Sequence, residues 1–177
     1  AAVSPYMIKS VGAEYTLIGH SDNRSEGDTN AMLKNKVLFA LKNNLRVVFC
    51  IGENKTEKKN KKTFSVLKKQ LIKVLEKKFN RNNIIIAYEP VWAIGSGKPA
   101  VPTDVNEIHK FIKDTVQSCA KITDINVLYG GSVNAENSKS FFEQKYIDGA
   151  LVGGASLDPV EFGKICINYI HQMETQE

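Results

Sequence analysis

Residues 84–98 read Ile84-Ile85-Ile86-Ala87-Tyr88-Glu89-Pro90-Val91-Trp92-Ala93-Ile94-Gly95-Ser96-Gly97-Lys98. An apolar run ends in a carboxylate and then a proline. Such a run is a strand buried on both faces, with Glu89 leaving one end of a sheet. Pro90 has no N–H for the ladder, so the strand stops there. The loop beyond it carries two glycines, which let backbone N–H groups come close to a ligand. A base at a strand end, followed by a flap able to shut out water, is an active-site arrangement. A lone carboxylate in a turn is more often plain surface. Trp92 and Ile94 argue against that here, because exposed loops seldom carry large apolar side chains without a closed state to bury them.

Outward from this stretch the same pattern repeats. Ser4-Pro5 predicts a capped short helix ending at Gly12, and Tyr15-Thr16-Leu17-Ile18 a strand ending in Gly19-His20-Ser21. A polar loop over 22–30 leads to a helix over 31–42. Arg46-Val47-Val48-Phe49-Cys50-Ile51 is the next strand, ending in Gly52-Glu53, and a lysine-rich helix follows. After the Glu89 strand, Thr103 is expected to cap a helix with Val105, Ile108, Phe111, Ile112, Thr115, Val116 and Cys119 on one face. Ile125-Asn126-Val127-Leu128-Tyr129 reads as a strand closed by Gly130-Gly131-Ser132. Ala150-Leu151-Val152 reads as another, closed by Gly153-Gly154, with a short helix around Phe141 and Phe142 between them. A helix marked by Phe162, Ile165, Cys166, Tyr169 and Ile170 ends the pattern. Alternating helices and strands without a wet face predict an α/β fold with parallel strands covered by helices. No Gly-x-Gly-x-x-Gly follows the first strand, which weighs against a dinucleotide fold.

Size and composition narrow the choice. A chain of 177 residues, 42% hydrophobic, is one domain's worth of globular protein. No stretch approaches the roughly 18 apolar residues of a membrane helix. The chain opens Ala1-Ala2-Val3-Ser4 without Met, which points to processing or to a fragment. Cys50, Cys119 and Cys166 are widely spaced, fitting reduced core thiols and no metal site. The net charge is +5, with most of the surplus between Lys55 and Lys78. That segment also carries Phe64, Leu67, Leu71, Val74, Leu75 and Phe79 at helical spacing. One buried stripe and a solvated lysine face account for the charge without nucleic acid.

Parallel α/β folds bind ligands at the carboxyl ends of their strands. Three strand ends there are nearly bare backbone: Gly95 in the loop, Gly131-Ser132, and Gly153-Gly154. Converging N–H donors with no side chains in the way suit a phosphate dianion. His20 shares this edge with Glu89, whereas His109 and His171 fall on helices and read as packed or surface residues. A carboxylate base, an imidazole donor and a phosphate grip, with no metal or cofactor, suit proton abstraction beside a carbonyl.

Five motifs, in order along the chain, resemble the triosephosphate isomerase family. They are Gly-His-Ser at 19–21, Cys-Ile-Gly-Glu at 50–53, Tyr-Glu-Pro-Val-Trp-Ala-Ile-Gly-x-Gly-Lys at 88–98, Tyr-Gly-Gly-Ser-Val at 129–133 and Leu-Val-Gly-Gly-Ala-Ser-Leu at 151–157. The resemblance implies a (β/α)8 barrel, of which this chain supplies the last five β/α units and one preceding helix. It implies one domain over 1–177, the C-terminal portion of that barrel. It also implies interconversion of dihydroxyacetone phosphate and glyceraldehyde 3-phosphate, in glycolysis and gluconeogenesis, in the cytoplasm. Glu89 would carry a proton through an enediolate and neutral His20 would polarise the carbonyl. Gly95, Ser132, Gly153 and Gly154 would hold the phosphate. Tyr129 and Ser132 would help hold the flap shut, and Glu53 would brace Trp92. A homodimer is expected of the full-length protein, with no nucleic acid, membrane, metal or cofactor.

The chain departs from the family in three ways. The family barrel takes about 250 residues, and its substrate-binding Asn and Lys fall on strands this chain lacks. The expectation is therefore that this chain alone is inactive, and the alternative is a non-catalytic phosphate-binding remnant. Asp22 and Asn23 stand where the family usually has Glu and Arg, which withdraws a carboxylate by one methylene and puts an ion pair near the dimer interface in question. Pro99 replaces a usual Thr and stiffens the far end of the flap.

Overall fold

The computed structural model describes residues 3–94 and 99–175. Five strands form one parallel sheet: β1 (Tyr15–Ile18), β2 (Arg46–Ile51), β3 (Ile84–Tyr88), β4 (Val127–Tyr129) and β5 (Gly149–Ala150). They lie side by side in chain order. A doubly wound sheet reverses its strand order so that helices cover both faces. Here the order never reverses, and the helices that contribute to the core pack on one face; the described residues hold eight α-helices in all. They are α1 (Pro5–Ser10), α2 (Ser21–Ser25), α3 (Asn30–Lys42), α4 (Lys55–Lys59), α5 (Thr63–Val74), α6 (Pro102–Ala120), α7 (Ser138–Phe142) and α8 (Pro159–Glu174).

The two faces of the sheet are chemically distinct, as strand periodicity requires. Val47, Phe49, Ile84, Ile86, Tyr88, Val127 and Tyr129 pack against the helices in the main core. Their alternates Val48, Cys50 and Ala87 form a second, smaller cluster with Ile85, Leu128 and Leu151. Among the described residues no helix residue joins it. That is the arrangement of a barrel wall, with helices outside and a side-chain layer within. On α6, Val105, Ile112 and Val116 are fully buried at helical spacing. Each contributes about 1.5–3 kcal/mol by leaving water.

Several local expectations change. The lysine-rich segment is two helices, α4 and α5, because Lys61 takes a left-handed conformation between them (φ 55°). Leu75 and Phe79 are buried beyond the end of α5. Pro102 opens α6, and Thr103 lies inside it rather than capping it. The polar loop after His20 folds into α2. Of the cysteines only Cys50 is buried, while Cys119 is half-buried and Cys166 exposed. On α8 only Ile165 is buried, with Phe162 and Ile170 exposed. Among the described residues no helix is long and apolar enough to cross a membrane.

Candidate active site at the carboxyl ends of the strands

Strands that run parallel deliver all their carboxyl ends to one edge of the sheet. At that edge lies an open cleft of about 440 Å³, lined by His20, Glu89, Ser132, Gly153 and Gly154 among others. Residues expected at the site from four separate strand ends thus meet in one cavity. Gly95, the remaining expected phosphate contact, lies at 95–98, outside the described residues.

Glu89 is the inward alternate of Tyr88, so it leaves β3 on the face that carries Ala87 and Cys50. It is 3% exposed. Two glycines make room for it. A Cβ at Gly130 would lie 2.8 Å from Glu89 Cγ, and one at Gly52 only 1.8 Å from the Glu89 carbonyl oxygen. Backbone thus bars a side chain at Gly52, and one at Gly130 would displace the Glu89 side chain. Burial pushes the Glu89 carboxyl above the ordinary glutamate range, against the pull of His20, the Cys50 thiol, Ser21 and Arg24. The Cys50 thiol is itself pushed up by burial and by the Glu89 charge. It stays a neutral neighbour.

His20 Nε2 lies 3.4 Å from Glu89 Oε1. Its other nitrogen, Nδ1, accepts the Asp22 N–H at 3.3 Å, so His20 caps α2 with its own ring. A nitrogen that accepts a backbone N–H carries no proton. In the neutral ring the proton is thus on Nε2, the atom that faces Glu89 and the cleft. The exposed Asp22 carboxylate comes within 3.5 Å of the same Nδ1. We assign the contact to the backbone donor, because two acceptors cannot satisfy one another.

Arg24 holds this corner together. Its Nε donates to Gly19 O (2.7 Å) and its Nη2 to Cys50 O (2.8 Å), tying the ends of β1 and β2, while Nη1 reaches Asn30 Oδ1 (3.1 Å). Gly19 takes φ +85°, and a Cβ there would meet Cys50 O at 2.9 Å. Sequence reading did not assign this role to Arg24, since nothing local announces a donor to a carbonyl 26 residues away.

Glu53, Trp92 and Tyr129 stand outside the main cleft. Glu53 is 1% exposed and accepts the Tyr88 hydroxyl (3.1 Å) and the Trp92 Nε1–H (3.0 Å). Tyr129, stacked on Phe141, accepts the Ala100 N–H at 3.2 Å, just past the 95–98 stretch. His109 is buried in α6 and His171 is exposed, so neither joins the site.

The family model described as Triosephosphate isomerase matches residues 1–169. A triosephosphate isomerase of Thermoanaerobacter pseudethanolicus is 42% identical over 173 residues, covering 94% of this chain and 69% of that protein. One from Buchnera aphidicola subsp. Cinara cedri is 44% identical over 169 residues, covering 92% of this chain and 66% of the relative. The crystal structure of triosephosphate isomerase from Bartonella henselae superposes with a TM-score of 0.86 at 37% identity, over 96% of this chain and 69% of that one.

Proposed function

The chain belongs to the triosephosphate isomerase family, and on that premise we propose that Glu89 and His20 carry its proton transfer. The activity that goes with the family is aldose–ketose isomerisation of triose phosphates. A substrate in the cleft lays its carbonyl oxygen towards His20 Nε2–H and the adjacent carbon towards Glu89. Glu89 removes a proton from that carbon, and the electron pair moves onto the carbonyl oxygen. His20, neutral with its proton on Nε2, donates a hydrogen bond to the enediolate oxygen as charge gathers there. Glu89 returns the proton to the neighbouring carbon as the hydroxyl proton passes from the first oxygen to the second, which leaves the carbonyl and the hydroxyl exchanged.

The raised Glu89 carboxyl suits this work. A buried base binds a proton more readily than a solvated glutamate. Ser132, Gly153 and Gly154 line the far side of the cleft. A Cβ at Gly153 or Gly154 would meet nothing within 4 Å, so both leave open room for a phosphate. Gly95 belongs to the same proposed grip. Asp22, Glu53, Trp92 and Tyr129 support the site rather than touch the reacting carbons. The single sheet and connected core support one domain over 1–177. Two finer parts of the reading, a homodimer and a cytoplasmic location, rest on the family alone.

The observation that carries this function is the 3.4 Å pairing of His20 Nε2 with Glu89 Oε1 inside the cleft. Its test is Glu89→Gln, which keeps the shape and removes the base. In the full-length protein, isomerisation of glyceraldehyde 3-phosphate should fall by about 10²–10⁴-fold, with solvent-deuterium exchange into the product lost in parallel. A variant within tenfold of the parent refutes the assignment.

A further inference from the structure

Glu53 and Lys58 leave the same connection after β2, and both reach Trp92. Asn54 and Glu57 exchange reciprocal side chain–backbone bonds of 2.8 and 2.9 Å, a capping box that fixes the turn carrying Lys58. Glu53 takes the indole at its edge, through Nε1–H. Lys58 takes it on its face, with Nζ 3.0 Å from the ring centroid. An indole N–H can only donate, and the ring face carries negative charge, so an anion and a cation each meet the part of the ring that suits them.

Trp92 sits in the single turn Val91–Ala93, which starts two residues past Glu89. Val91 N–H bonds to Glu53 O (3.1 Å) and Ala93 N–H to Pro90 O (2.7 Å), so the turn has little freedom independent of the ring. We propose that Lys58 is a positioning residue for Glu89: its ammonium, acting with Glu53, pins the Trp92 indole and through it the turn that sets where the Glu89 carboxylate lies. This rests on the reading of Glu89 as the base.

The surroundings leave the ammonium one role. Lys58 borders a small cavity of about 190 Å³ with Glu53, Thr63, Tyr88, Trp92 and Asp104, and it is the only cation among the described residues that line it. Although the residue as a whole is exposed, burial lowers the Lys58 ammonium below the ordinary lysine range, with Glu53 and Asp104 of α6 pulling the other way. Tyr88 keeps its proton, pushed up by burial and by Glu53. The pin therefore holds at neutral pH and loses its charge as pH rises through a value below that of a free lysine.

Trp92 is the only tryptophan in the sequence, so indole emission reports this site alone. Excited where tyrosine does not absorb, the parent protein should show an emission step below the ordinary lysine range. Lys58→Met should lack that step. Lys58→Arg, which keeps a cation to higher pH, should give the parent spectrum at neutral pH and no step. In steady-state isomerisation Lys58→Met should lose about five- to tenfold in kcat, with KM changed less than twofold, and Lys58→Arg should recover it. A parent protein without the step, a step that survives in Lys58→Met, or an unchanged kcat overturns the proposal. Should Lys58→Met fail to fold, the parent titration and Lys58→Arg decide it. The kinetics are read in the full-length protein: should no form of it turn substrate over, the isomerase reading falls while the emission step still judges the pin.

Discussion

Gly130→Ala is the sharpest probe of the Glu89 geometry. The added Cβ would sit 2.8 Å from Glu89 Cγ, while the next neighbour, Tyr88 O, is at an ordinary 3.4 Å. The collision is thus with one flexible side chain and not with backbone. Gly130 is not among the glycines held in the left-handed region, so alanine suits its backbone and restricts the unfolded chain, worth about 0.4–1 kcal/mol in favour of folding. To restore an ordinary contact the Glu89 side chain must retreat by about 1 Å, and a misplacement of that size costs on the order of 10²-fold in rate. That is about 2.7 kcal/mol in the barrier. At Gly52 the added carbon would strike the Glu89 backbone at 1.8 Å, which cannot swing aside, so folding and catalysis would fail together. At Gly130 they should separate. The assay is kcat of the full-length protein for glyceraldehyde 3-phosphate beside a thermal melt. An unchanged Tm with kcat within twofold of the parent refutes the claim that Gly130 makes room for the base.

Two further predictions concern stability. Burial holds the His109 imidazole down to about 3, whereas it titrates near 6.5 when unfolded. Its folded-state value is depressed, so the unfolded chain takes the proton first: stability is full above pH 6.5 and is lost as pH falls towards 3, by up to about 1.4 kcal/mol per pH unit. His109→Phe should flatten that part of the profile of urea midpoint against pH, and equal slopes would count against a buried neutral imidazole. Asp148 Oδ2 accepts from both Lys113 Nζ and the Val127 N–H at 2.6 Å, joining α6 to the start of β4. Asp148→Asn should cost about 2 kcal/mol and lower Tm by roughly 4–8 °C. An unchanged melt would mean the pair contributes nothing.

The strands were legible wherever a breaker followed an apolar run. Pro90 after Glu89 and the glycines after Ile18, Ile51 and Tyr129 marked the ends that matter, and these ends build the cleft. Strand starts were harder to see. Ile125 was expected in β4, but its carbonyl is taken by Lys113 and pairing begins at Val127. The break between α4 and α5 was invisible because it rests on a lysine in a left-handed conformation, and lysine carries no signature for that. The start of α2 was missed for a related reason. Its cap is an imidazole, whereas helix starts are read from serine, threonine, aspartate and asparagine. The His20 ring therefore both ends the loop and fixes its own tautomer, and only coordinates show the two together.

The order of strands also bears on how the chain folds. Each strand pairs with its successor, through register partners such as Thr16 with Val47, Val48 with Ile85, Ile86 with Val127 and Leu128 with Gly149. Among the described residues no pairing waits for a strand two units away. Loop-closure entropy grows slowly with length and is met here in similar instalments, so assembly can proceed as a zipper, one strand–helix unit docking on the last. A chain leaving the ribosome always presents the next unit to the edge just completed. The cleft is assembled last, because His20 and Glu89 come from β1 and β3 while Gly153 and Gly154 arrive only with β5.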